Sequence, residues 1–323
     1  MQMLENSPLL LVITGPTGIG KTDLAISLAQ DAPLRLISAD SVMVYKGLDI
    51  GSAKPGAPEL AQCPHDLIDI VPPEHPFDAG QFVAHATQAI EEAWVRGQIP
   101  CLVGGTIMYL KVLLDGLDSL PQADPEIRLQ IRDRAEKQGW PAIHQWLMEI
   151  DPKAGEMIHP NHSSRIERAL EVKLLTGQSI RSFWTGRKNK GSIGGRVVDL
   201  SVLALVPVDR NKLKGRLDDR FGAMLVNGLV DEVRALRLRS GLRVDCPSMR
   251  SVGYQQVWRY LDNQLSDAEM KESARAATRQ LAKRQLTWLR SWRYETNNFL
   301  EVSQSIPLVK GREWLSGVFD RVF

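Results

Sequence analysis

The chain has 323 residues, 43% hydrophobic and 24% charged, with a net charge of +2. That is the composition of an ordinary folded domain, long enough for one large domain or two smaller ones. No apolar run approaches the ~18 residues of a membrane span, residues 1–8 lack the basic start and apolar core of a signal peptide, and Cys63, Cys101 and Cys246 form no C-x-x-C pair, which sets aside membrane, secreted and cysteine-rich zinc proteins in favour of a cytoplasmic enzyme.

Leu9 to Ile13 is an apolar run of strand length. It leads into Gly15-Pro16-Thr17-Gly18-Ile19-Gly20-Lys21-Thr22, which matches the phosphate loop G-x-x-x-x-G-K-[ST]. The helical pattern of residues 23–29 follows, so the motif has the strand–loop–helix context that its physics requires. Glycines let backbone N–H groups turn inward around a phosphate. The helix N-terminus adds partial positive charge. Lys21 reaches the outer phosphates, and Thr22 can coordinate Mg²⁺. The loop therefore binds a di- or triphosphate.

Leu34 to Asp40 reads as a second strand ending in a carboxylate, and His65 to Val71 as a short third. Asp78 to Gly97 has helical spacing; Ile99 to Val103 is a buried-type strand closed by Gly104-Gly105-Thr106, with a helix to about Asp115. Alternating strands and helices predict an α/β fold, a parallel sheet of the P-loop NTPase/kinase-like type with helices on both faces. Ligands in such sheets sit outside the strands' carboxyl ends. The phosphate loop, Asp40 and Thr106 all lie there and converge on one crevice.

Residues 117–196 turn helical, over 125–139 and 165–177, and end in a polar, glycine-rich connection at 186–196. The simplest account is a helical domain, 117–196, inserted into a core domain of 1–116 and 197–323. Residues 197–206 return to strand, and the last third is mostly helical. Ser266 and Glu269 make a capping box for a long helix. Along it Lys271, Arg275, Arg279 and Lys283 recur every four residues, beside an apolar face of Met270, Ala274, Ala277, Leu281 and Trp288. Residues 271–293 hold seven basic side chains and one acidic, and residues 201–323 carry a net +7 against −7 for residues 1–116. A row of cations without matching anions suits a phosphodiester backbone.

These motifs resemble the bacterial tRNA dimethylallyltransferases. The resemblance rests on the phosphate loop, on residues 37–41 and 45–55, on Leu102 to Tyr109, on Arg165 to Val172, on Arg216 through Arg220-Phe221, on Ser251 to Gln256 and on Ala277 to Gln285. The zinc finger that eukaryotic relatives add at the C-terminus is not expected. The resemblance implies transfer of a dimethylallyl group from dimethylallyl diphosphate to N6 of adenine 37, beside the tRNA anticodon. It implies a diphosphate site of Gly15, Thr17, Gly18, Ile19, Gly20, Lys21, Thr22, Arg216 and Arg220. It also implies that tRNA is contacted by Asp40, Ser41, Val42, Met43, Thr106, Arg128, Ser164, Arg165, Ile166, Glu167, Arg168, Asp245, Ser248, Arg250, Thr278, Arg279, Gln280, Lys283, Arg284 and Gln285.

Chemistry then suggests roles. Lys21, Arg220 and Mg²⁺ would stabilise charge on the departing diphosphate. Asp40 would orient N6 and take its proton, and Thr106 would position the amine. The alternatives for Asp40 are a metal ligand or a helix cap; for Arg216 and Arg220, an ion pair with Asp218 or Asp219. A phosphate-loop kinase for a nucleoside or other small metabolite and a nucleic-acid-binding NTPase are the rival functions, and both require nucleoside triphosphate. A monomer is expected.

Overall fold

The computed structural model describes residues 7–116, 120–183, 192–292, 297–303 and 307–322. Its contacts divide the chain into two compact units, Met1–Leu114 with Gly191–Phe323, and Asp115–Lys190. Among the described residues no helix is long and apolar enough to cross a membrane.

The first unit is built on a sheet of six parallel strands: β1 (Leu9–Thr14), β2 (Leu34–Ser38), β3 (His65–Asp66), β4 (Ile99–Gly104), β7 (Asp199–Pro207) and β8 (Asn297–Val302). A hairpin of β5 (Ser192–Ile193) and β6 (Arg196–Val197) precedes β7. The strand order is β3-β2-β4-β1-β7-β8. The chain leaves β1 toward one edge and returns through β4, then crosses to β7 on the other side. The crevice between the carboxyl ends of β1 and β4 is therefore the switch point, where ligands bind in such sheets.

Every residue of β1 is buried, as a strand covered on both faces must be. Its side chains alternate between two cores. Leu10 and Val12 join one with α3 (Ala79–Val95) and α4 (Ile107–Asp115); Leu9, Leu11 and Ile13 join the other with α1 (Lys21–Ala29). A short α2 (Ala57–Gln62) stands before β3. The Asp78–Gln81 capping box starts α3 where the sequence places it.

The second unit packs α5 (Pro125–Gln138), α6 (Trp140–Ile150), α7 (Pro152–Gly155) and α8 (Ser163–Thr176) around Ile131, Leu147, Ile166 and Leu170. Beyond β7 the first unit resumes with α9 (Arg210–Val226), α10 (Leu229–Arg237), α11 (Tyr254–Leu261), α12 (Asp267–Ser291) and α13 (Leu308–Val322).

Three expectations need correction. Part of the connection, 186–191, and the expected insertion start at 117 lie outside the described residues, but residues 192–197 form the hairpin, and Ile193 is buried in the first unit's core. Strand β8 was unforeseen; its polar Asn297-Asn298 start suits an edge strand. On α12 the buried face is Met270, Ala274, Ala282 and Leu289, whereas Leu281 and the 39%-exposed Trp288 face a cavity.

Candidate active site

Three loops meet over the switch point. The phosphate loop follows β1, Asp40-Ser41 follows β2, and Gly104-Gly105-Thr106 follows β4. Gly18 sits at φ +72°, and a Cβ there would stand 2.6 Å from Leu217 Cδ2, so this position favours glycine. The side chain of Ile19 is sunk in the core under the loop at 1% exposure, which leaves its backbone to face the ligand. Gly20, left-handed, caps α1 without a side chain, so the first N–H groups of the helix are free for an anion. Lys21 Nζ donates to the Pro16 carbonyl at 2.9 Å, and Arg216 closes the loop from α9 by donating to the Gly18 carbonyl at 2.7 Å.

Two cavities adjoin here. The phosphate cavity, about 340 Å³, is lined by Gly18, Gly20, Lys21, Thr22, Asp23 and Arg220. The other, about 360 Å³, is more apolar, with Val42, Met108, Leu217, Phe221, Met224 and Trp288 on its walls. Thr17, Asp40, Ser52, Gly105, Arg220 and Gln285 line both, and so form the boundary between them.

The electrostatics suit an anion on one side and a neutral group on the other. Burial lowers the pKa of Lys21 to about 8; Asp40 opposes the shift and Arg220 adds to it. Arg220 is also held below its ordinary value by burial, against the pull of Asp40 and Asp23. Two desolvated cations beside an anion cradle are stabilised when an anion arrives. Asp40 Oδ1 accepts the N–H groups of Val42 (2.8 Å) and Met43 (3.3 Å) and so caps the turn. What Asp40 caps is a turn, and no helix follows it directly; the capping engages one oxygen and leaves the carboxylate on the boundary of both cavities. Thr106 Oγ1 accepts the Ser41 N–H at 3.1 Å, tying the turn after β4 to the turn after β2.

Residues 43–292 match the profile described as IPP transferase. The chain belongs to that family. A curated relative in Hahella chejuensis, named tRNA dimethylallyltransferase 2, is 49% identical over 88% of this chain and 89% of its own length. Among solved structures, a tRNA isopentenylpyrophosphate transferase from Bacillus halodurans is 33% identical, with a TM-score of 0.69 over 97% of this chain and 96% of that one. A eukaryotic dimethylallyltransferase solved while acting on tRNA is 26% identical, with a TM-score of 0.78 over 98% of this chain and 80% of that one. Like its relatives, the chain is a transferase of the IPP transferase family.

Measured against that family, the expected site residues separate into groups. Thr17, Gly18, Gly20, Lys21 and Thr22 of the loop gather at the two cavities with Asp40, Ser41, Val42, Met43, Thr106, Arg220, Thr278, Arg284 and Gln285, whereas Gly15 and Ile19 line neither. Neither Arg216 nor Arg220 pairs with Asp218 or Asp219; Asp218 goes to Arg279 at 3.0 Å. Arg279 also holds Glu272 at 2.7 Å, and Lys271 holds Asp267. The basic row on α12 therefore does have anions, one of them supplied by α9, and the exposed cations of the helix are Lys283, Arg284 and Arg290, with Gln280 exposed as well.

Other expected tRNA contacts are corrected by burial. Ser248 is fully buried and donates to the Pro73 carbonyl at 2.6 Å. In the second unit Ile166 is a core residue. Buried Glu171 accepts from Arg128 at 2.8 Å, from Arg168 and from the Asp124 N–H. Burial alone would raise its pKa, but these hydrogen bonds outweigh it and hold the carboxyl below its usual range. Glu167 pairs with Arg132. Ser164, Arg165, Asp245 and Arg250 are exposed, with Asp245 paired to Arg243.

Sequence reading missed two parts of the site. Leu217, Phe221 and Met224 stand on the same side of α9 as Arg220, a spacing visible in the sequence once the helix is known. The segment 49–51 is held by Glu232, whose carboxylate takes the N–H groups of Asp49, Ile50 and Gly51 and the Tyr254 hydroxyl, and nothing local signals that.

Proposed function

We propose that the site moves a dimethylallyl group from dimethylallyl diphosphate to N6 of adenine 37, in the anticodon loop of tRNA, and releases diphosphate. The observation that carries this reading is the shared boundary of the two cavities. Lys21 and Arg220 flank a cradle for a diphosphate, and next to it lies an apolar space with a carboxylate, Asp40, at the junction. The apolar walls suit an allylic chain and a flat base.

The diphosphate would lie in the loop against the free N–H groups of α1, with Lys21 and Arg220 on its oxygens. The allylic C–O bond breaks, and the electron pair leaves with the diphosphate. Negative charge grows there in the transition state, where fixed cations in a dry site act most strongly. The adenine must leave its stack to reach the cavity, and Met108, Leu281 and Trp288 offer it apolar walls. N6 forms the new C–N bond, and Asp40 takes the proton that N6 loses. Capping by Val42 and Met43 N–H fixes the carboxylate while its remaining oxygen acts.

Among the described residues no cluster of three His, Cys, Asp or Glu side chains is disposed to hold a metal. Mg²⁺ commonly binds through one or two protein groups plus phosphate oxygens and water, and Thr22, which lines the phosphate cavity, fits that mode. Thr22 and the diphosphate would hold the ion there, where it would supply further charge neutralisation. The exposed Lys283 and Arg284 supply the charge that draws tRNA. The protein would act as a cytoplasmic monomer.

One incubation tests the reading. Purified protein, tRNA, Mg²⁺ and labelled dimethylallyl diphosphate, with no nucleoside triphosphate, should give labelled tRNA. An absolute requirement for ATP would refute it in favour of the kinase or NTPase.

A further inference from the structure

Gln285 enters the site from α12, some 268 residues along the chain from the loop it touches. Its Oε1 accepts the Thr17 N–H at 2.8 Å, and its Nε2 donates to the Gly105 carbonyl at 2.9 Å. These partners follow β1 and β4, the two strands that flank the switch crevice. One carboxamide thus ties the phosphate loop, the turn before Thr106 and α12 together. The fit is close: a Cβ on Gly105 would stand 2.5 Å from Gln285 Nε2 and 3.1 Å from the Gly15 carbonyl. Both ends of the amide are engaged inside the unit, so Gln285 is poorly placed to serve RNA as well. Its neighbours Lys283 and Arg284 are exposed.

We propose that Gln285 is a positioning residue that couples tRNA docking on α12 to the shape of the diphosphate loop. The proposal rests on the reading of the site as one for diphosphate and tRNA. Phosphates held by Lys283 and Arg284 restrain α12, and Gln285 passes that restraint to Thr17 and Gly105. A loop already restrained loses less freedom when diphosphate arrives, so each ligand tightens the other, reciprocally.

The test measures the Kd of inorganic diphosphate for the full chain by calorimetry, with Mg²⁺, alone and with a saturating anticodon stem-loop RNA. The RNA should tighten diphosphate binding about fivefold or more. Gln285→Ala should abolish that tightening and leave the RNA Kd unchanged. In turnover, KM for dimethylallyl diphosphate should rise while KM for tRNA holds. Gln285→Met keeps the length of the side chain without its hydrogen bonds and should behave alike; its melting temperature checks the fold. Weakened RNA binding with the tightening intact would make Gln285 a direct RNA contact and overturn the proposal. So would wild-type protein that binds both ligands without any tightening. Wild-type protein that binds neither ligand would instead refute the functional reading itself.

Discussion

The phosphate loop and helix α12 meet at one crevice but are held there by opposite means. The loop is shaped by backbone. Its glycines, its left-handed cap at Gly20 and the buried anchor of Ile19 arise within eight residues, and the Arg216 clip, the Leu217 contact and Gln285 come from afar. Helix α12 is placed by side chains from distant elements, with Arg279 tied to Asp218 of α9 and Ala282 set in the core beside the loop. The difference separates two kinds of cation. Lys21 and Arg220 are desolvated without a close ion-pair partner among the described residues, which suits an incoming anion. Arg279 already has its anions and holds the helix, leaving Lys283 and Arg284 for a partner.

Breaking the loop side should have the largest effects. Asp40→Asn retains the oxygen that caps the turn but loses the base, so transfer should fall ~10²–10⁴-fold with diphosphate affinity nearly unchanged. Rescue of that variant in a Mg²⁺ titration would make Asp40 a metal ligand instead. Lys21→Ala should slow transfer by ~10²–10³-fold, while filter binding shows normal tRNA affinity. With its pKa near 8, Lys21 in the free enzyme loses its proton above that pH. Diphosphate must then bind with uptake of a proton, and its affinity should fall about tenfold per pH unit above pH 8. The sign for stability is opposite: the unfolded lysine holds its proton up to about 10.5, so this residue makes the fold gain stability as pH rises from 8 to 10.5.

The α12 side should respond more mildly. Neutralising Lys283 and Arg284 together should reduce the slope of log affinity for tRNA against log salt by about two. Neutralising Arg279 should lower the melting temperature and leave that slope in place. Ser248→Ala removes a buried hydrogen bond to the Pro73 carbonyl and should destabilise the protein by about 1–3 kcal/mol in denaturant unfolding. A flatter salt slope in that variant would restore Ser248 as an RNA contact.

What the sequence revealed follows the same division. The phosphate loop, the strands flanking it, Asp40 and the Gly104-Gly105-Thr106 turn could be read because their roles depend on neighbours within a few residues. The capping box of α12 was legible for the same reason. The intramolecular partners of Ser248, Ile166 and Arg279, namely Pro73, the helical core and Asp218, could not be read because they are distant in sequence. A motif segment marks residues that belong to a site without saying which face the partner and which hold the frame. Gln285 shows this most sharply, lying in a nucleic-acid motif while bonding inside the protein.

The central claim is that one crevice carries diphosphate on its loop side and an adenine on its apolar side. It is tested most directly by mapping the product on an anticodon stem-loop. Two RNAs, one with adenine at position 37 and one with guanine there, are incubated with dimethylallyl diphosphate and Mg²⁺ but no nucleoside triphosphate, then digested for mass spectrometry. The account predicts one dimethylallyl group on N6 of adenine 37, one diphosphate released per group, and no product on the guanine RNA. A group attached at another position, or diphosphate released without attachment to the base, would contradict it.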